Sequence, residues 1–158
     1  MFKVFVSSPV AGLEPYREAV GLASRLGQGR IEFFMFEHYE NRRVPEKTIV
    51  ESILDTSGDE FDAFLMFFQD RLGNGTLEEL EAFERIMRPK NPDIEVWWAQ
   101  VYCEAHDEEV AQVLERFNQE ENTGMPCVKG EEWLNHPDKL RNRVVNQIIE
   151  SLGRRADL

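Results

Sequence analysis

FLMFFQDRLGNGTLEELEAF, residues 64–83, is the stretch from which the fold of this chain can be read most directly. Its first five residues are apolar and uncharged, which predicts a strand buried on both faces of a sheet. Gly73-Asn74-Gly75 then predicts a flexible turn. Thr76 and Glu79 have the spacing of a helix capping box, so a helix is expected to begin at Thr76. A strand, a glycine turn and a capped helix make half of a β-α-β unit.

The polar residues that follow this strand lie where a ligand site is expected. In open α/β sheets, ligands bind just outside the carboxyl ends of the strands. This places Gln69, Asp70 and Arg71 at the predicted site, together with Gly75 and Thr76. A surface ion pair of little energetic value is the alternative for Asp70 and Arg71.

The remaining chain alternates strands and helices. The predicted strands are residues 2–6, 31–36, 61–68, 93–98 and a short 126–128. The predicted helices are residues 13–26, 46–55, 76–87, 107–121 and a last one from Leu134 or Asn135 to Leu152. This order predicts an α/β fold, a five-stranded parallel sheet with helices on both faces. We expect one domain over residues 1–153 and a frayed C-terminal tail over residues 154–158.

Composition narrows the class of partner. The chain has 158 residues, 42% of them hydrophobic and 11 of them Phe, which predicts a folded domain rather than a disordered one. Its net charge of −12 argues against a nucleic-acid binder, because a phosphate backbone requires a basic surface. A small anionic ligand remains compatible with that charge, since one arginine or one helix N-terminus can hold it.

The cysteine and histidine patterns predict neither a disulfide framework nor a metal site. Cys103 and Cys127 form no CxxC pair and fit a reducing cytoplasm. The three histidines share no metal-ligand spacing, so we expect no metal. We also expect no signal peptide and no membrane span, and hence a cytoplasmic location.

Two segments resemble a known family. Val4-Phe5-Val6-Ser7-Ser8, followed by residues 13–20 (LEPYREAV), resembles the V-F-I-S-S and D-L-x-x-E-R-x-A opening of an uncharacterised bacterial TIR-like domain that often precedes signalling ATPases. Residues 75–79 (GTLEE) resemble the G-T-x-x-E segment of TIR-like domains and nucleoside 2-deoxyribosyltransferases. The resemblance covers residues 2–83. This chain has Pro9-Val10 where the family usually has Thr-Phe, and Gly12 in place of an acidic residue.

This resemblance implies a flavodoxin-like, TIR-like fold and chemistry at an N-glycosidic bond. Both groups of relatives depend on a glutamate on the helix after the third strand, which is Glu79 here. Such a carboxylate stabilises the positive charge that develops on a ribose when its bond to nicotinamide breaks, or forms a covalent intermediate. The alternative is that Glu79 only caps its helix.

Other candidates come from the ends of the other strands. Ser7 and Ser8 end the first strand, and their hydroxyls either bind ribose or phosphate or form a turn or helix cap before Pro9. The polar loop of residues 37–43, with His38, Tyr39, Arg42 and Arg43, binds an anionic cofactor, covers the site or is simply solvated. Trp97 and Trp98 point to opposite sides of their strand, so we expect one in the core and the other stacked on a base or at a subunit contact.

Three functions remain open from the sequence. The first is hydrolysis of NAD or a related nucleotide at its N-glycosidic bond, with NAD as substrate rather than cofactor. The second is a nucleoside 2-deoxyribosyltransferase or nucleotide N-glycosidase, which usually has an aspartate before its Gly-Thr where this chain has Asn74-Gly75. The third is a non-enzymatic module that binds a nucleotide or assembles with copies of itself.

Overall fold

The computed structural model describes residues 2–9, 12–26, 29–34, 61–122, 127–134 and 136–156. Its strands are β1 (Phe2–Ser7), β2 (Ile31–Phe34), β3 (Ala63–Phe68), β4 (Glu95–Val101) and β5 (Cys127–Leu134). Its helices are α1 (Glu14–Leu26), α2 (Gly73–Ala82), α3 (Glu108–Asn122) and α4 (Pro137–Ala156). Helix α2 continues as a π-helical segment (Phe83–Met87) and a last helical turn (Arg88–Lys90). The predicted helix over residues 46–55 and the loop over residues 37–43 lie outside the described residues.

All neighbouring strands of the sheet run parallel. The regular part has the order β2-β1-β3-β4, and β5 extends it beyond β4 with register shifts between Trp97 and Val101. The α/β class with a parallel sheet, predicted from the alternation of elements, is confirmed. This strand order is compatible with a flavodoxin-like fold.

The core consists of two apolar layers, one on each face of the sheet. Alternation of side chains along β1 places Phe5 in one layer and Val4 and Val6 in the other. Phe83 of the π-helical segment and Phe117 of α3 pack in the layer that contains Phe5. The other layer receives its helical side chains from α1 and α4: Leu13, which precedes α1, with Val20, Ala23, Leu140, Val144 and Ile148. Helices therefore cover both faces.

Both tryptophans lie in the core, so the expectation that one of them meets a ligand or subunit was wrong. Trp97 is 2% exposed and stacks on Phe2, with ring centroids 5.9 Å apart. Trp98 is equally buried on the opposite face, between Phe68 and Phe117 at 6.5 and 6.1 Å. The reason is that β4 has helices on both of its faces, so neither side of this strand meets solvent.

The predicted start of α2 was also wrong. The helix begins at Gly73, its N-cap is Leu72, and no side chain caps it. Gly73 has φ of +77°, which allows the chain to turn sharply into the helix without the loop expected from Gly73-Asn74-Gly75. Thr76 therefore lies inside the first turns of α2 and is not an N-cap, which removes the predicted capping box.

The ends of three other elements differ from the predicted ends, at positions where strand pairing or a proline is involved. The helical path after β3 runs through Pro89 to Lys90, where the prediction ended it at Met87. Strand β5 extends to Leu134 despite its polar sequence, because it pairs with β4. Helix α4 starts at Pro137, since proline is favoured in a first turn and disfavoured inside a helix, and it continues to Ala156, where the prediction ended it at Leu152. No helix within the described ranges is long and apolar enough to cross a membrane.

Candidate functional site

A cleft of about 700 Å³ lies at the carboxyl ends of β1 and β3. Its walls are the segment after β1, the segment between β3 and α2, and the first turns of α2. Seven of the eight predicted site residues line it: Ser8, Gln69, Asp70, Arg71, Gly75, Thr76 and Glu79. The eighth, Ser7, contacts one of these seven.

The two serines at the end of β1 point to opposite layers. Ser7 continues the alternation of Phe5 and meets α2, whereas Ser8 continues the alternation of Val6 and meets α1. Both side chains are buried. The two adjacent hydroxyls therefore do more than shape a turn before Pro9. They form hydrogen bonds with side chains of two different helices.

Glu79 reaches the end of β1 from α2. The Ser7 hydroxyl donates a hydrogen bond to Oε1 of Glu79 across 3.2 Å. Glu79 is only 8% exposed, and its side chain lines the cleft. Since Thr76 is not the N-cap of α2, the alternative of a capping-box glutamate is contradicted. The structure thus presents a nearly buried carboxylate, held by a neighbouring strand, at the edge of the sheet where ligands are expected.

Arg17 is a component of this region that was not among the predicted site residues. It lies on α1, is 6% exposed, and its Nη1 donates to the Ser8 hydroxyl at 2.7 Å and to the Ser8 carbonyl at 3.4 Å. A buried guanidinium requires hydrogen-bond partners and compensating charge. The sequence contains one indication that Arg17 is buried: its spacing places it on the same helical face as the apolar residues Leu13 and Val20.

The segment after β3 is tied to the segment after β4. The Gln69 side chain donates to the Tyr102 carbonyl at 2.8 Å, and the Gln100 side chain donates to the Gln69 carbonyl at 3.2 Å. The Asp107 amide donates to the Asp70 carbonyl at 2.9 Å. These bonds fix the wall of the cleft that Gln69 and Asp70 form.

Asp70 and Arg71 are exposed at the rim of the cleft. Within the described part of the chain, neither side chain forms an ion pair. The alternative of a surface ion pair for these two residues is therefore not what the described structure contains, and both charges face the opening of the cleft.

Cys103 lies behind this wall. Its thiol donates to the Gln69 carbonyl at 3.6 Å and accepts from the Gln100 side chain at the same distance. Burial raises the pKa of the Cys103 thiol, the negative charge of Asp70 raises it further, and the Gln100 hydrogen bond lowers it. The net effect keeps this thiol protonated at neutral pH, which is the opposite of what a cysteine nucleophile requires.

Among the residues that the structure describes, no group of three or more His, Cys, Asp and Glu side chains is placed to hold a metal ion. No known family model matches this sequence, and no curated protein matches it significantly.

Proposed function

We propose that this protein is a TIR-like enzyme that cleaves the N-glycosidic bond of NAD or of a related nucleotide, with Glu79 as the catalytic carboxylate. The observation that carries the proposal is the position of Glu79: nearly buried, held by Ser7, and lining a cleft of nucleotide size at the carboxyl ends of the strands.

The chemistry follows from the charge that the reaction develops. When the bond between the ribose anomeric carbon and nicotinamide breaks, its electron pair leaves with the nicotinamide ring nitrogen, which becomes neutral. The ribose becomes an oxocarbenium-like cation, and a carboxylate beneath it stabilises that cation until water attacks. Burial of Glu79 strengthens this attraction, because the surrounding protein screens charge less than water does.

Ser7 positions the carboxylate for this role. Its hydroxyl donates to Oε1 of Glu79, and this bond restricts the orientation of the carboxylate group. Ser8, Gln69 and Thr76 provide polar groups around the cleft that suit the hydroxyls of a sugar.

The test is release of nicotinamide from NAD at high protein concentration, followed by chromatography. We expect Glu79→Gln to lower the rate by at least about 100-fold, the usual cost of removing one electrostatic stabiliser of a transition state. Glu81→Gln is the matched control, because Glu81 is an exposed glutamate on the same helix. Equal rates for the Glu79 variant and the unchanged protein would refute the catalytic assignment.

Product analysis separates the alternatives. A nucleoside 2-deoxyribosyltransferase would use Glu79 on a deoxynucleoside and transfer the sugar to a second base. A binding or self-assembling module would release neither nicotinamide nor base from any of these substrates. Deoxynucleoside monophosphates are the second substrate to assay, with the same pair of variants.

A further inference from the structure

We propose that the interior of this protein binds one structural water molecule, which bridges the indole N–H of Trp97 on β4 to the side-chain carbonyl of Gln147 on α4. The site lies in the apolar layer to which α1 and α4 contribute. None of the residues that line it also lines the cleft at the ends of β1 and β3. It is therefore independent of the proposed function.

Two enclosed polar atoms point to this site. Nε1 of Trp97 and Oε1 of Gln147 are buried, and neither has a hydrogen-bond partner among the residues that the structure describes. Their side chains are 2% and 6% exposed. Burial of a donor or an acceptor without a partner is costly, so two such atoms at one place indicate a group that binds both.

Both residues line one small cavity between β4 and α4. The cavity has a volume of about 10 Å³, close to the smallest size that holds a single water molecule. Apolar side chains of Leu65, Leu140 and Val144 also line it. A purely apolar cavity stays dry, whereas a buried water needs at least two polar partners. The Trp97 nitrogen and the Gln147 oxygen supply those two partners.

A neighbouring hydrogen bond places the two residues level with each other. Oγ of Ser151 on α4 donates to Oε2 of Glu95 on β4 at 2.6 Å. Gln147 lies four residues before Ser151, a step of about 6 Å along a helix. Trp97 lies two residues after Glu95, a step of about 6.6 Å along a strand. The two steps are nearly equal and run in opposite chain directions, as the shared cavity also shows.

The hydrogen-bonding needs of the two atoms select water as the ligand. The Trp97 N–H only donates and the Gln147 oxygen only accepts, and the two form no direct bond with each other. A water oxygen accepts from Trp97, and one of its protons is donated to Gln147. Arg143 lines the same cavity, but a guanidinium has no acceptor and cannot serve the Trp97 N–H.

The experiment measures, by NMR on the full chain, magnetisation transfer from water to the indole proton of Trp97. A spectrum of Trp97→Phe assigns that proton among the three tryptophans of the chain. We expect a nuclear Overhauser effect with the sign of a long-lived bound water. Gln147→Met keeps the length of the side chain but removes the acceptor, so the effect should disappear. Gln119→Met, at an exposed glutamine of α3, is the matched control and should retain it.

Unfolding in urea gives a second readout. A bound water that loses its Gln147 partner leaves the Trp97 N–H unsatisfied, so Gln147→Met should raise the equilibrium constant of unfolding about tenfold. If no water bridged the two groups, the same change would remove an enclosed oxygen without a partner, and the variant would be more stable than the unchanged protein.

Two results would overturn the site. One is a Gln147→Met variant at least as stable as the unchanged protein. The other is the absence of water-to-indole transfer in the unchanged protein, which would indicate that the Gln147 side chain rotates to bind Trp97 directly. This second measurement needs no variant at Gln147, so it decides the question even if Gln147→Met fails to fold.

Discussion

The hydroxyl of Ser7 lies 3.2 Å from the carboxylate of Glu79, and this buried hydrogen bond joins residues 72 positions apart in the sequence. It connects the end of β1 to the middle of α2. A buried carboxylate has lost most of its hydration. Hydrogen bonds from the protein therefore replace water and stabilise the buried charge.

Replacement of Ser7 by alanine should lower the free energy of unfolding by about 1 kcal/mol, the usual net contribution of one buried hydrogen bond. Urea denaturation at neutral pH measures this. In a double-mutant cycle with Glu79→Gln, the two changes should couple by at least about 0.5 kcal/mol. Strictly additive effects would show that the two side chains do not depend on each other.

Arg17→Met should be more destabilising, by about 3 kcal/mol, because it removes a buried charge from its hydrogen-bond partners. Arg25→Met, on the exposed side of the same helix, is the control and should stay within about 0.5 kcal/mol of the unchanged protein. The same urea titration serves both variants. Similar midpoints for the two would contradict the structural role of Arg17.

Two glycines at the start of α2 should respond to alanine in opposite directions. Gly73→Ala should cost about 1–2 kcal/mol, because φ of +77° places an alanine Cβ in a left-handed conformation. Gly75→Ala should instead stabilise the protein by up to about 1 kcal/mol, since its added Cβ meets open space and alanine favours helix. Thermal unfolding of both variants measures the sign of each change in stability. A stability change of the same sign in both variants would contradict the backbone geometry at Gly73.

Cys103 should be alkylated slowly by iodoacetamide at pH 8, because its raised pKa leaves little thiolate. Asp70→Asn removes a negative charge that raises this pKa, so the variant should react faster and its rate profile should shift to lower pH. Mass spectrometry resolves Cys103 from Cys127. Asp93→Asn, an exposed aspartate just before β4 and so at the opposite end of this strand, should leave the rate unchanged.

Apolar runs and their spacing were sufficient to predict the alternation of strands and helices over the residues that the structure describes. Strand β3 and the residues after it were recognisable because an uncharged run followed by glycines has few other interpretations. The start of α2 was not predictable, because a positive φ at Gly73 is chosen by the tertiary path of the chain rather than by local preference.

The roles of individual polar residues were harder to predict. Ser7 and Ser8 were recognised as site candidates, but the helix that each one meets follows from the parity of β1 relative to the two layers. Arg17 was overlooked although it interrupts an apolar helix face, a position where a charge is rarely found without a buried partner. Trp97 and Trp98 were expected to differ in exposure. Helices cover both faces of β4, however, and the two side chains are both buried.

Because the two serines face opposite layers of the core, formation of the cleft during folding depends on both layers. Ser8 is bound to Arg17 in the layer of α1, and Ser7 is bound to Glu79 in the layer of α2. The arrangement therefore exists only when both layers have docked on β1. The contact between Ser7 and Glu79, which are 72 positions apart, forms late in folding because a long loop must close first, whereas Ser8 and Arg17 are only 9 positions apart. Detachment of either layer is enough to dismantle the cleft, even while the other half of the core remains packed.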